Sequence, residues 1–172
     1  MPVRVNFNIN EVGEAQRGDL VRIAGVASRP VWAFVIGRDS VQRFALLALE
    51  PAHNYEGAAV IFPEVHAKVC NFGSTWSLKP GWSDEAFVGS KAWRRIAGAL
   101  SIAADRSVSM LVLHPDMSGD GLAFVDMNSW EISRAIAHDN RVPLACWDLW
   151  SDRTVESAEP PAITFRGKLP GA

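Results

Sequence analysis

The stretch Lys91–Ala104, KAWRRIAGALSIAA, decides the fold because its pattern suits either a helix or a strand. From Trp93 onward its apolar residues recur three and four positions apart, which is the spacing of one helix face. Ser90 offers a side chain that can cap the start of a helix. We therefore predict an amphipathic helix that ends near Asp105-Arg106.

Part of this stretch also repeats an earlier segment of the chain. Arg95–Ser101 (RIAGALS) matches Arg22–Ser28 (RIAGVAS) at five of seven positions. A tandem duplication would make each half a small β-barrel. Matches rich in Ala and Gly also arise readily by chance, and the second copy lies in the predicted helix, so coincidence is the favoured interpretation. Extended backbone over Lys91–Ala104, mirroring Leu20–Val26, would instead indicate a doubled module.

Upstream of residue 80 the apolar pattern is that of β-strands. Residues 3–10 alternate apolar and polar side chains, which is the period of a half-buried strand. Val31–Gly37 and Arg43–Glu50 are apolar on both faces and predict a hairpin of two interior strands. Further strands are expected at Leu20–Val26, Ala58–Phe62 and Val65–Asn71. These strands predict an antiparallel sheet or a small open barrel.

Downstream of the deciding stretch we expect two strands, a helix and a last strand. The strands are Val108–His114 and Gly121–Met127. Asn128, with Glu131 three residues later, has the spacing of a capping box and predicts a short helix to about His138. Pro143–Trp150 is predicted to be the final apolar strand. The expected fold class is therefore α+β, an N-terminal antiparallel sheet or barrel packed on a C-terminal α-β-β-α-β segment.

Length and composition limit the classes of protein to consider. The 172 residues are 48% apolar and 21% charged, which suits one soluble domain spanning 1–172, with a seam at 76–83 between a β-rich half (1–80) and an α+β half (81–172). Seventeen basic and nineteen acidic residues give a net charge of -2, which argues against a nucleic-acid partner. No apolar run approaches the roughly 20 residues that a membrane helix needs.

The cysteines and the N-terminus suggest a cellular setting. Cys70 and Cys146 match neither a zinc pattern nor a disulfide framework, and both lie in apolar segments. The N-terminal residues show no signal peptide. We therefore expect a cytoplasmic protein with two buried thiols, and the excess of Arg over Lys suggests a bacterial source.

Three polar residues near the ends of apolar strands form the candidate catalytic site. They are His114, Asp126 and Asp148, and buried acids must be paired, protonated or bound to a cation. If their strands are neighbours, the three side chains could hold a divalent metal or act as an acid–base pair. The favoured interpretation is that they are strand-end residues that meet water or cap turns.

Two tryptophans in a turn-rich stretch form the candidate binding surface. Trp76 and Trp82 lie in GSTWSLKPGW, where large aromatic side chains either cover an open core edge or present a platform to a ligand. Lys79 and Arg94 lie near them in the sequence and could hold an anionic or planar group. The predicted binding residues are therefore Trp76, Lys79, Trp82 and Arg94.

The remaining motifs carry little chemistry. Asp116, Ser118 and Asp120-Gly121 resemble the first half of a calcium loop, but Met127 stands where the bidentate Glu should be. A β-hairpin turn is the favoured interpretation of that segment. No nucleophile elbow, zinc-binding helix or phosphate loop is present in the sequence.

Two classes of function follow from these observations. The first is a non-catalytic binding or protein-interaction module that uses the aromatic loop surface to take a protein or small ligand, or that forms a homo-oligomer. The second is a small metal-dependent hydrolase built on His114, Asp126 and Asp148. Missing catalytic motifs, balanced charge and seven tryptophans favour the first class, with no metal and no cofactor.

Overall fold

The computed structural model describes residues 6–24, 29–50, 57–87, 95–117, 121–134, 141–156 and 158–167. Within these ranges the protein is nearly all β, with only short 3-10 turns as helical structure. No helix among them is long and apolar enough to cross a membrane. The strands, in chain order, are β1 (Asn8–Glu11), β2 (Leu20–Ile23), β3 (Val31–Arg38), β4 (Phe44–Ala48), β5 (Ala59–Ile61), β6 (Lys68–Gly73), β7 (Ser77–Pro80), β8 (Leu100–Ala103), β9 (Val108–Leu113), β10 (Leu122–Asp126), β11 (Ile132–Ser133), β12 (Arg141–Leu144), β13 (Cys146–Trp150) and β14 (Ile163–Arg166).

Eleven strands form one large mixed sheet and three form a smaller one. The large sheet runs β1-β6-β2-β3-β4-β5-β9-β10-β11, with β12 and β8 branching from β9. Its neighbours are antiparallel except where β5 meets β9 in parallel at Ala59 and Leu113. The small sheet is β14-β13-β7. The predicted hairpin of two interior strands is present as β3 and β4, which are apolar and buried on both faces.

The prediction of a helix in the deciding stretch was wrong. Residues 100–103 form β8, which pairs with both β9 and β12, and residues 91–94 lie outside the described part of the chain. Gly98 has φ 104°, a left-handed conformation that a helix cannot contain. Leu100 is buried in one core and Ala99 in another, so apolar residues are required on both faces of the extended backbone. This two-sided burial produces the helix-like spacing.

The second predicted helix was also wrong where the structure describes it. The Asp126 carboxylate accepts the backbone N–H groups of Asn128 and Ser129, both at 2.8 Å, and so forms a turn at the point where the helix was expected to start. Trp130 follows with φ 61°, which ends any right-handed helix, and β11 begins at Ile132. Residues 135–138 lie outside the described part. The α+β fold class and its α-β-β-α-β segment are therefore replaced by an almost all-β fold.

The two halves of the chain have the same strand order. In the first half, successive neighbours are β1, β6, β2, β3, β4 and β5. In the second half, Phe87 bridges to Leu144 of β12, and β12, β8, β9, β10 and β11 follow in the same antiparallel order. Each series is followed by one more strand, β7 or β13, and these two strands pair with each other. The molecule is therefore a doubled module.

Matching hydrogen bonds fix the correspondence between the halves. The N–H of Gly18 donates to the carbonyl of Val35 (2.8 Å), and the N–H of Gly98 donates to the carbonyl of Leu111 (2.7 Å). Both glycines have positive φ, 86° and 104°. Gly18 therefore corresponds to Gly98, an offset of 80 residues. The heptapeptide match between Arg22 and Arg95 has an offset of 73 and does not follow this register.

Two tryptophans occupy equivalent places in the halves. The Trp76 indole N–H donates to the Gly18 carbonyl at 2.8 Å, and the Trp147 indole N–H donates to the Gly98 carbonyl at 2.7 Å. Each tryptophan thus satisfies a carbonyl that lies two residues before a strand, β2 in the first half and β8 in the second. These bonds connect Trp76, directly before β7, and Trp147, in β13, to the start of the same half.

The central core is shared between the halves. Equivalent residues such as Leu20 and Leu100, or Leu47 and Val125, pack together in one buried cluster. On the opposite face of the large sheet, each half has its own smaller cluster of buried residues. This cluster surrounds Val35 in the first half and Leu111 in the second. Neither half buries its inner face without the other.

Candidate ligand cleft

The halves meet closely at one of two equivalent junctions, which we call the closed junction. There the N–H of Leu113 in β9 donates to the carbonyl of Ala58, next to β5, at 2.9 Å. A Cβ atom at Gly57 would lie 2.8 Å from the Cβ of Ala97, so no larger residue fits without displacement. Small residues on both sides therefore allow the two backbones to hydrogen-bond.

At the second junction the two halves exchange roles, and the corresponding strands are not paired over the described ranges. We call this the open junction. It lies between the end of β3 and the start of β11. In the register of the repeat, Trp130 replaces Ala58 and Arg17 replaces Ala97. No strand pairing joins β11 to β3 in the described residues. Both positions therefore carry a large side chain where the closed junction has an alanine.

Glycines make room for both of these side chains. A Cβ atom at Gly18 would lie 2.9 Å from the Trp130 indole nitrogen, and one at Gly37 would lie 3.3 Å from Arg17 Nε. The Arg17 guanidinium also donates to the carbonyl of Ser129 at 3.4 Å. Arg17 therefore crosses the open junction from β3 to the loop before β11.

A cleft of about 500 Å³ lies at the open junction. We call it the arginine cleft, because its lining contains four arginines, together with His114, three acids and an apolar floor that includes Trp130. Its volume is within the range of natural binding sites for small organic ligands, roughly 300–1,000 Å³. The full lining comprises Arg17, Ile36, Arg38, Asp39, Ser40, Arg43, His114, Asp116, Met117, Trp130, Glu131, Ile132 and Arg134.

Three of the four arginines have no carboxylate partner within 4 Å in the parts of the chain that the structure describes. Each guanidinium is held by a neutral acceptor instead. Arg17 donates to the Ser129 carbonyl, Arg38 to the Gln42 carbonyl at 2.9 Å, and Arg134 to the Met117 sulfur at 3.1 Å. A guanidinium has five N–H donors, so most of them remain free to bind an anion.

The fourth arginine pairs with two of the acids at the cleft. Arg43 forms ion pairs with Asp39 at 2.8 Å and with Asp116, and its guanidinium lies 3.7 Å from the ring centre of Phe62. The hydrogen bond and charge of Arg43 lower the pKa of Asp116, and Asp116 and Asp39 together raise the pKa of Arg43. These three groups therefore stay ionised, and their formal charges sum to -1. Glu131 is the third acid, and it is exposed.

His114 lies in the wall of the cleft and is buried. Its ring meets Phe62 edge-on, and its Nδ1 accepts the backbone N–H of Asp116 at 3.2 Å. Burial lowers the pKa of His114, the charge of Arg43 lowers it further, and Asp116 opposes the shift. An accepting Nδ1 requires the neutral imidazole, so the hydrogen bond and the pKa shift agree.

The structure does not bring together His114, Asp126 and Asp148. His114 follows one end of β9, whereas Asp126 pairs with Ser109 near the other end, about 16 Å away at 3.3 Å per residue. Asp148 lies in the small sheet, where Thr164 and Arg166 bind its carboxylate. Among the described residues, no group of three or more His, Cys, Asp or Glu side chains is arranged to hold a metal ion.

The predicted aromatic binding surface is divided by the fold. Trp76 packs on Phe34 and Trp130 and donates inward to Gly18, so it belongs to the core edge. Lys79 pairs with Glu156 at 3.1 Å. Trp82 is 61% exposed and contacts Phe87, and Arg94 lies outside the described residues. That this loop binds a ligand stays a prediction.

The chain matches no known protein family, no curated protein and no solved structure. Its function is therefore inferred from the geometry of its own residues. Of the residues lining the cleft, only His114 and Asp116 belong to a ligand or catalytic motif considered from the sequence. The arginines were missed because they come from three separate segments, and no local spacing connects Arg17, Arg38 and Arg134.

Proposed function

We propose that this protein is a non-catalytic binding module that takes a small anionic ligand into the arginine cleft. The observation that carries the proposal is that Arg17, Arg38 and Arg134 face one cleft while only neutral groups hold them. Charge-assisted hydrogen bonds from guanidinium groups to carboxylate or phosphate are among the strongest in proteins. An anion in the cleft would receive donors from both halves of the molecule.

The sequence also predicted a non-catalytic binding module, but with its site at the aromatic loop around Trp76 and Trp82. The proposal places the site at the arginine cleft instead. The aromatic loop has one exposed tryptophan, whereas the cleft is concave and its four arginines outnumber its three acids. The hydrolase alternative is not carried forward, because Asp126 and Asp148 bind turn and strand partners far from His114. The proposal also includes a cytoplasmic setting, which the two free thiols of Cys70 and Cys146 support.

Anion binding to the full chain tests the proposal. Citrate, sulfate, phosphate and benzoate would be titrated by calorimetry and by thermal unfolding in low salt. A ligand at 100 times its Kd should stabilise the protein by about 2.7 kcal/mol, and added NaCl should weaken the binding.

Variants locate the binding at the cleft. The double variant Arg38→Gln/Arg134→Gln should raise the Kd at least tenfold, because both side chains are exposed and their loss removes only neutral contacts. Arg153→Gln is the matched control, since Arg153 is exposed and lies beside the small sheet. The proposal is wrong if none of the four anions binds, or if the double variant binds them as tightly as the wild type.

A further inference from the structure

We infer that the ligand of the arginine cleft is an organic anion with an aromatic body, rather than a bare inorganic ion. This inference rests on the proposed function and adds the class of ligand. Three features of the cleft carry it, namely its apolar floor, the origin of its space and the separate placement of its arginines.

The floor of the cleft is apolar. Ile36 and Trp130 are nearly fully buried beneath it, at 4% and 7% exposure, and Ile132 and Met117 are half-buried at its sides. A hydrated inorganic ion makes no use of such a surface. Each Å² of apolar surface that a ligand covers contributes about 25 cal/mol, so a ligand with an apolar body binds more tightly than its anionic group alone.

The space above this floor is a consequence of the doubled fold. At the closed junction, small residues allow a direct strand pairing, and little room remains. At the open junction β3 and β11 are not paired in the described residues, and Trp130 and Arg17 take the positions of two alanines, each against a glycine. The cleft thus lies where the closed junction has the β5–β9 pairing and the open junction has none among the residues described. A flat ligand can enter between the two strands.

The arginines are spread over the cleft instead of converging on one point. Arg38 is held at the β3–β4 turn by Gln42, Arg17 at the loop before β11 by Ser129, and Arg134 beyond β11 by Met117. A compact ion would engage only part of this set. A planar aromatic anion can present its charged group to some guanidinium groups and its ring face to others, since guanidinium groups also stack on aromatic rings.

The test compares anions that share one charged group and differ in the body attached to it. Phenyl phosphate, methyl phosphate and inorganic phosphate would be titrated into the full chain by calorimetry, with benzoate and acetate as the carboxylate pair. Phenyl phosphate should bind at least tenfold more tightly than methyl phosphate or phosphate. Benzoate should likewise exceed acetate. The two series distinguish a phosphate ligand from a carboxylate ligand.

A variant of the apolar wall separates the contribution of the ring from that of the charge. Ile132→Thr keeps the branched shape suited to β11 and removes apolar surface, so it should weaken phenyl phosphate severalfold and leave methyl phosphate unchanged. Ile132→Val, a smaller change at the same position, provides a second such variant if Ile132→Thr fails to fold. Equal affinities for phenyl, methyl and inorganic phosphate would overturn this inference and leave the proposed function intact. Absence of binding by every anion would overturn both.

Discussion

At the scale of single residues, the cleft depends on a few side chains whose neighbours are unusually small. Arg17 lies against Gly37, and Trp130 lies against Gly18. A Cβ atom at either glycine would meet the large side chain at 3.3 Å or less, so the glycines and the large residues fit as pairs. The open junction is therefore specified by four residues that are far apart in the sequence.

His114 should make stability depend on pH. Burial lowers the pKa of the folded imidazole below its ordinary value of 6.5, whereas the unfolded chain takes up the proton near 6.5. The unfolded state therefore binds more protons between these two pKa values, and the free energy of unfolding should fall as pH decreases below about 6.5. His114→Gln should remove this part of the pH dependence. Urea unfolding from about pH 7.5 to 5 would measure it, and parallel curves for the two proteins would contradict the assignment.

Substitution of Trp147 or Trp76 should lower the free energy of unfolding more than substitution of the exposed Trp82. Trp147→Phe leaves the buried Gly98 carbonyl without its donor, which should cost about 1–3 kcal/mol of unfolding free energy. Trp76→Phe should cost less, because Trp76 is only half-buried and water can replace the indole N–H. Trp82→Phe is the control and should change stability by less than about 0.5 kcal/mol. Urea midpoints check all three, and an equal cost for Trp82 and Trp147 would be inconsistent with the hydrogen bond.

At the scale of elements, β8 shows why periodicity failed in the deciding stretch. A strand with one exposed face alternates, but Leu100 and Ser101 of β8 are buried on opposite faces, and Ala99 just before β8 is buried in a second cluster. Its short run of Leu, Ser, Ile and Ala then resembles a helix face as much as a strand. The left-handed Gly98 before it, together with pairing to β9 and β12, decides in favour of the strand.

Substitution of Gly98 should show how strongly this element is constrained. Gly98 has φ 104°, and a Cβ atom there would lie 2.6 Å from the Phe165 ring. Gly73 also has a positive φ, 72°, but nothing lies within 4 Å of a Cβ atom. Gly73→Ala should therefore cost about 1–2 kcal/mol for the backbone alone. Gly98→Ala should cost a further ~1–3 kcal/mol from the steric conflict. Equal shifts of the urea midpoint would argue against close packing at Gly98.

At the scale of the whole molecule, the halves share their largest core and two strand pairings. Equivalent faces of both halves pack together, β5 pairs with β9, and β7 pairs with β13. The predicted seam at 76–83 contains β7, which therefore lies in a pairing between the halves. Neither half can hide its inner face alone, so we expect them to fold together.

Calorimetry should accordingly show one unfolding transition with equal calorimetric and van't Hoff enthalpies. A fragment of residues 1–82 should lack a cooperative transition, because the partner of its central core is absent. Two resolved transitions for the full chain, or cooperative unfolding of the fragment, would show that the halves are independent. The same result would remove the basis for a single domain spanning 1–172.

The sequence predicted strands wherever both faces are buried by long side chains, as in β3 and β4, and where apolar runs end at turn-forming residues, as in β9 and β10. It did not predict the duplication, because a strand position requires only an apolar side chain of suitable size. Leu20 and Leu100 are alike, but Phe34 corresponds to Met110 and Ala58 to Trp130. The heptapeptide that suggested a repeat lies in a different register.

The sequence by itself therefore determined where most strands form, since local side chains set backbone preference and burial. Tertiary structure alone decided that residues 100–103 are extended, because the hydrogen bonds of that strand come from distant partners. It also decided the cleft, because charge that is balanced along the chain becomes locally positive where arginines from separate segments meet. Strand pairing between distant segments brings these arginines together, and no local sequence pattern predicts that pairing.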